Sequence, residues 1–317
     1  MQFYLLKRLL MTVAVLILMI TFLSVVIHII PGDPAMILLG PRANPATIAK
    51  MRAAMELDKS VPAQVASFFS EILHGTLGID VITGRPINML IASALPHTLI
   101  LAFASLSLAA FIGGILGVFS ATHPDSWLDR TTAILSISFI SIPSYVCGLF
   151  LLLVFAVKFR VMPAIGLGEN GDAADYIKHL ILPAFALAIP WIGYLARLVR
   201  ASLLEVLNEA YIRSAMAAGL SQRLVYYKYA LKNSLISVVA ILGVGLGNLM
   251  GGAIFVELIF SRPGMGTLIY NAIGLHNFPL VRAGVMVVAL LFVLANLLAD
   301  LSYTYLDPRI EFGRARG

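Results

Sequence analysis

HTLILAFASLSLAAFIGGILGVFSA, residues 97–121, runs for 25 residues without Asp, Glu, Lys or Arg. Coiled as an α-helix at about 1.5 Å per residue, it is long enough to cross the ~30 Å hydrocarbon core of a bilayer. Five more runs lack all four charged types: 9–30, 131–157, 180–196, 234–256 and 283–299. The two shortest, 17 residues each, extend past Arg197 and Asp300 into the interface. Membrane strands are excluded, because the runs are too long and lack alternation. The rest of the composition agrees. Of 317 residues 60% are hydrophobic and 12% charged, and mean hydropathy is +0.95. A soluble chain carries about 25% charged residues. A soluble enzyme, a disordered tail and a secreted disulfide scaffold are excluded. The single cysteine, Cys147, forms no intramolecular disulfide. The formal charge of +6 shows no basic face for nucleic acid. The expected fold is all-α and polytopic, with six transmembrane helices.

Lys7 and Arg8 precede the first run, as in a signal peptide. Its 22 apolar residues exceed the usual 7–15, and no A-x-A site follows, so a retained anchor is the better reading. Six spans place both termini on one side. The short segments on that side (1–8, 122–130, 197–233 and 300–317) carry 12 Lys and Arg, against 5 in 158–178 and 261–282. The positive-inside rule then puts both termini in the cytoplasm.

The resulting organisation is an N-terminus and first span (1–30), an external segment (31–96), a five-helix core (97–306) and a tail (307–317). Within the external segment, Asn44-Pro45 reads as an N-cap followed by proline at the first helical position, opening a helix to about Leu57. Pro62 opens a second helix, ended by Gly75 and Gly78. Thr83-Gly84-Arg85-Pro86 is a turn. This small helical layer either packs span ends or docks an external partner.

Residues 197–233, between the fourth and fifth spans, are long for a bare loop. Leu204, Leu207, Tyr211, Ala215 and Ala218 recur at helical spacing, predicting one apolar stripe. Glu205, Glu209 and Arg213 fall on another face, with Glu209 ahead of Arg213 in the favourable order. Gly219 is a helix stop, since glycine enters the left-handed region cheaply. A second short helix starts near Ser221. Ser214, Ala215, Ala217 and Ala218 are small enough to let a partner's backbone approach. The segment lies on lipid as an interfacial helix or seats in a groove of a cytoplasmic protein.

Glu209-Ala210 followed by Gly219 resembles the EAA loop, the coupling segment of permease subunits in binding-protein-dependent ABC importers. Other stretches are similar to the dipeptide/oligopeptide branch. They are residues 3–8 with His28-Ile-Ile-Pro31-Gly32-Asp33-Pro34, Leu95-Pro96-His97-Thr98, the Ser141-Ile-Pro143 break, Arg262-Pro-Gly264-Met-Gly266 and Asp300 through Asp307-Pro308-Arg309. The matches run in order along nearly the whole chain. Two stretches depart from the pattern. Met216 and Ala218 stand where the family's loop carries basic residues, and residues 76–82 lack its usual serine.

The resemblance implies a permease subunit that moves di- or oligopeptides, or similar small solutes, across a bacterial inner membrane. It implies ATPase coupling through Glu209, Ala210, Tyr211, Arg213, Ala217, Gly219 and Leu220. ATP and Mg would be bound by two separate nucleotide-binding subunits, leaving this chain without a cofactor. A homologous second permease would complete the pore, and a periplasmic or lipid-anchored binding protein would deliver cargo. The residues agree, since no G-x-x-x-x-G-K-[ST] is present.

Enzyme motifs are also missing: there is no H-E-x-x-H, no G-x-S-x-G and no cysteine pair. The six histidines are scattered at span ends, so no metal site is expected. Gly113, Gly117 and the Gly243–Gly252 group read as close helix packing, ahead of a gating hinge. Polar residues inside spans are the clue to a path, because lipid disfavours them. Ser141 and Ser144 flank Pro143, which is positioned to kink the third span. Asn248 and Glu257 on the fifth span are expected to face a cavity, Glu257 attracting a peptide's ammonium terminus. Serines such as Ser105, Ser138 and Ser141 often bond their own helix instead. The competing functions are a stand-alone secondary transporter or channel, which predicts mid-span carboxylates, and an intramembrane enzyme, which needs a dyad.

Overall fold

The structure, a computed structural model, describes residues 2–29, 32–169 and 171–306. Ile30 and Pro31 of the His28–Pro34 stretch, Asp307-Pro308-Arg309 and the 307–317 tail lie outside the described residues. In chain order the helices are α1 (Gln2–Ile29), α2 (Pro34–Leu39), α3 (Pro45–Ala54), α4 (Val61–Leu73), α5 (Ile87–Thr122), α6 (Trp127–Ser141) and α7 (Ser144–Leu151). Then come α8 (Ala173–Leu207), α9 (Ala210–Ala217), α10 (Gln222–Leu224), α11 (Leu231–Ile259), α12 (Met265–Gly274) and α13 (Phe278–Leu306). A π-helical turn follows α7 (Leu152–Lys158), and another joins α10 to α11 (Val225–Ala230). No strand occurs among the described residues.

Length and hydropathy qualify Leu6–Ile29, Ile87–Thr122, Ala173–Leu207, Gln222–Ile259 and Phe278–Leu301 as membrane spans. The sixth is the pair Trp127–Ser141 and Ser144–Lys158, bent by 101°. Pro143 is the cause: Ile142 and Pro143 leave the helical region (ψ 120° and 143°), as the residue before a proline tends to. The expected kink is a complete break. Helices overrun the charge-free runs because charged residues at span ends stay helical while reaching the interface.

The chain divides into two compact units. The first gathers the residues up to Thr98 with Pro263–Val293. Its core joins Ile20, Phe68, Ile87, Ile91, Met265, Ala272, Leu280 and Met286. The local chemistry follows the sequence. Asn44 caps α3 by accepting from Ala46 N (3.0 Å) with Pro45 next, although α3 stops at Ala54 rather than near Leu57. Gly75, Gly78 and Gly84 all take positive φ.

The second unit holds Leu99–Arg262 and the described residues from Leu294 on. Its centre is α8, against which α6, α7 and α11 pack. Small residues set the closest approaches. A Cβ on Gly117 would stand 2.6 Å from Ala196 O and from Val199 Cβ, and one on Gly243 would collide with Ala299. The packing reading of these glycines therefore holds. Gly251 has open space and Gly252 makes only ordinary contact. Opposite outcomes are expected on two neighbouring glycines of one helix. Gly117→Val lowers stability by about 1–3 kcal/mol through overpacking. Gly114→Ala, with nothing within 4 Å, raises it by up to about 1 kcal/mol through helix propensity. Thermal unfolding of the detergent-solubilised chain compares them.

Candidate functional site

The 197–233 segment is built on one apolar knot. Leu203 of α8, Ile212 of α9, Val225 and Ala230 of the π turn, and Ala121 of α5 are buried together. Leu204, Leu207, Ala215 and Met216 pack against them. A single helix through 204–218 was expected, and the structure breaks it. Glu209 sits at φ −68°, ψ 149° as the N-cap of α9. The Asn208 amide side chain turns back to donate to Leu204 O at 3.0 Å. Leu204 and Leu207 on one helix and Ala215 on the next still reach the same knot, but from different axes. Tyr211 leaves the stripe: it is 42% exposed, and its hydroxyl accepts from Asn233 Nδ2 at 2.8 Å. No ion pair joins Glu209 to Arg213 among the described residues, since Glu209 is not helical. Its carboxylate instead stands at a helix N-terminus, where negative charge is favourable.

Gly219 carries the turn. Its φ is +85°. Gly219 N donates to Met216 O (3.0 Å) and Leu220 N to Ala215 O (3.3 Å), the paired bonds of a Schellman stop. α10 follows with Ser221 at its N-cap. Glu209, Ala210, Tyr211, Arg213, Ala217, Gly219 and Leu220 are all exposed on this elbow. Ile212, the fully buried anchor, was missed. Its signal was the 212, 215, 216 spacing, hidden by the competing stripe through Tyr211.

The span residues are not brought together. Ser141 ends α6, and its Oγ donates to Ile137 O at 2.8 Å. Ser138 and Ser105 do the same to Ile134 O and Leu101 O. Ser144 opens α7, half-buried and facing Gly252. Asn248 lines a cleft of about 360 Å³ with Ile140, Pro190, Trp191, Tyr194 and Val244. Glu257 corrects an expectation. It is fully buried rather than open to a cavity, beside the equally buried Arg262, whose cation its charge supports. Arg262 donates to Tyr176 Oη at 2.7 Å and lies 4.9 Å from that ring's centre. Burial lowers the Arg262 pKa from its usual value, and Tyr176 and Glu257 oppose the fall. A fully buried carboxylate is not placed to capture an ammonium from a cavity.

The 31–86 layer has its own polar interior. Arg282 is 3% exposed, 3.6 Å from the Glu56 carboxylate and 5.7 Å from the Phe68 ring centre. Asp80 is buried and accepts from Thr83 and Asn277. Burial pushes the Asp80 carboxyl up, but these bonds outweigh it and hold it below the usual carboxylate range. Glu56 is lowered likewise against burial, by Lys59 and Ser67. Glu71 is raised by burial and by the Glu56 charge. A cleft of about 630 Å³ opens beside Glu71, Gly78, Asp80 and Asn88.

Comparison with known proteins places this architecture. Residues 113–312 match the family model described as binding-protein-dependent transport system inner membrane component. Residues 1–102 match the N-terminal model of the same membrane components. The chain is 36% identical to a dipeptide transport system permease protein of Alkalihalophilus pseudofirmus, covering 98% of this chain and 99% of that protein. It is 35% identical to a glutathione transport system permease protein of Pectobacterium atrosepticum, over 98% and 99%. A probable D,D-dipeptide transport system permease protein of Escherichia coli K12 is 38% identical, over 93% and 92%. Among solved structures, the methionine ABC transporter MetNI superposes with TM-score 0.56 at 22% identity, covering 69% of this chain and 97% of that one. With both family models matched and three relatives above 30% identity over nearly the full length, this multi-pass chain belongs to the inner membrane components of binding-protein-dependent ABC transport systems, as a permease subunit.

Proposed function

We propose that this permease conducts di- or oligopeptides, or similar small solutes such as glutathione, and is driven through the Glu209–Leu220 elbow by two separate ATPase subunits. The elbow carries the proposal. Seven exposed positions ride on an element whose one buried side chain, Ile212, fixes it to α8 and to the π turn leading into α11. A push on α9 is thus delivered to two spans at once. The small Ala210 and Ala217 leave room for a partner's backbone. The elbow faces the cytoplasm with both termini, on the side richer in Lys and Arg. ATP and Mg reside on the ATPases, and closure of the ATPase pair moves the elbow and reorients the spans.

A homologous second permease completes the pore, with Asn248 and Ser144 on this chain's share of the path. Glu257 is left out of it. A periplasmic or lipid-anchored binding protein presents cargo to the 31–96 layer. The proposal is tested by purification from the native membrane. The expected result is co-elution with two ATPases and a related permease, and uptake in vesicles only when all are present. Full uptake by this chain alone overturns it.

A further inference from the structure

A second charged cleft lies between α6 and α8. Its volume is about 270 Å³, and its lining includes Arg130, Thr132, Ile137, Arg197 and Arg200. Three guanidiniums converge there, and they are not equivalent. Arg200 is committed: its Nε and Nη2 donate to the two oxygens of Asp129 at 2.7 and 2.8 Å. Arg130 and Arg197 are exposed and make no ion pair or side-chain hydrogen bond among the described residues. With Asp129 satisfied by Arg200, the charges of Arg130 and Arg197 remain in the cleft against one further carboxylate nearby, Asp125, which also acts on Arg200.

The flank of this cleft is apolar. Ile134 and Ile137 are 65% and 59% exposed, and Trp127, at the start of α6, is 76% exposed. An exposed tryptophan at the end of a span marks the membrane–water interface. Two free guanidiniums beside exposed isoleucines call for a ligand that is anionic at one end and apolar along the rest. Basic pockets between spans take lipid head groups by this logic, and arginine matches the geometry of phosphate oxygens.

We propose that this cleft binds the phosphate of an anionic phospholipid, with Arg130 and Arg197 as its ligands and the acyl chains lying along Ile134 and Ile137. The site is independent of the coupling role argued above.

Native mass spectrometry of the full chain, in whatever complex it retains, provides the test. The probes are phosphatidylglycerol, phosphatidylcholine and inorganic phosphate. Phosphatidylglycerol is expected to bind more tightly than phosphatidylcholine. The Arg130→Gln/Arg197→Gln double variant weakens phosphatidylglycerol about tenfold or more, at the strength of ordinary basic contacts to anionic lipid. The Arg130→Lys/Arg197→Lys variant keeps most of the affinity, which separates charge loss from misfolding. Millimolar inorganic phosphate fails to displace the lipid. Equal phosphatidylglycerol binding by wild type and the Gln variant overturns the proposal. So does displacement by phosphate alone, which makes the cleft a plain anion site. Loss of co-purifying subunits with lipid binding unchanged overturns it as well, in favour of a protein interface.

Discussion

Gly219→Val is expected to abolish most nucleotide-driven uptake while leaving the chain inserted and its spans folded. The reason is conformational. Gly219 stands at φ +85° with nothing within 4 Å of the position a Cβ would take. The substitution therefore meets no clash, and its whole effect falls on the backbone. A left-handed residue other than glycine costs about 1–2 kcal/mol, and a β-branched one is a true outlier there. The bonds from Gly219 N and Leu220 N to Met216 O and Ala215 O exist only in that conformation. Losing them lets α9 fray or run on, so Tyr211, Arg213 and Leu220 no longer share one surface. A cost near 2 kcal/mol shifts the elbow's equilibrium by about thirtyfold, and coupled uptake is expected to fall by at least about tenfold.

Asparagine enters the left-handed region more readily than other non-glycine residues. Gly219→Asn should therefore retain uptake within about threefold of wild type, given its smaller conformational cost. Measuring uptake and ATPase co-purification for the two variants separates a backbone requirement from a steric one. Equal loss in both would show that a partner surface fills the space beside Gly219. Full activity of the valine variant would remove the elbow from the coupling path.

The elbow also shows how far the sequence could be read. Gly219 was legible because a glycine after a periodic run has one common use. The break at Asn208–Glu209 was not, because the apolar period continues through it. Leu204, Leu207 and Ala215 do converge, yet across two helices joined by a cap. Local spacing reports which residues seek the core and is silent about a change of axis. The same limit hid the 101° bend, since a proline signals a kink but not its angle. Glu257 was misread for a different reason. A lone carboxylate at a span end looks like a port for cations, and its neighbour Arg262 lies five residues on, past the helix end. Only the chain's return at Phe260–Arg262 brings the two charges into one buried place. The Asp80–Asn277 and Arg282–Glu56 contacts join residues separated by about 200 positions in sequence, for which periodicity holds no information.

The Asp129–Arg200 pair is the strongest case of such a hidden contact, and its removal is expected to be the most damaging single change for stability. Asp129 is 4% exposed. It accepts two bonds from Arg200, one from Ser120 Oγ and one from Asp125 N at 3.1 Å. Four donors thus converge on one carboxylate, tying the start of α6 to the end of α5 and the C-terminal part of α8. Asp129→Ala strands all of them, and Arg200 with them. Breaking a buried pair costs about 3–5 kcal/mol. The lower end applies because the Arg200 side chain is 34% exposed and can turn toward water. Replacing both charges, as Asp129→Leu with Arg200→Met, should recover most of the loss, since apolar pairs often substitute for buried ion pairs without penalty. Unfolding midpoints of the wild type and these two variants in detergent decide the matter; a double variant no better than Asp129→Ala would mean that Ser120 and Asp125, rather than Arg200, are the partners that count. The milder Asp129→Asn carries a second consequence. It keeps an acceptor for Ser120 but releases the Arg200 guanidinium into the cleft that already holds Arg130 and Arg197. Affinity for phosphatidylglycerol should then rise even as stability falls, because the same arginine cannot serve an internal carboxylate and an external phosphate with equal strength.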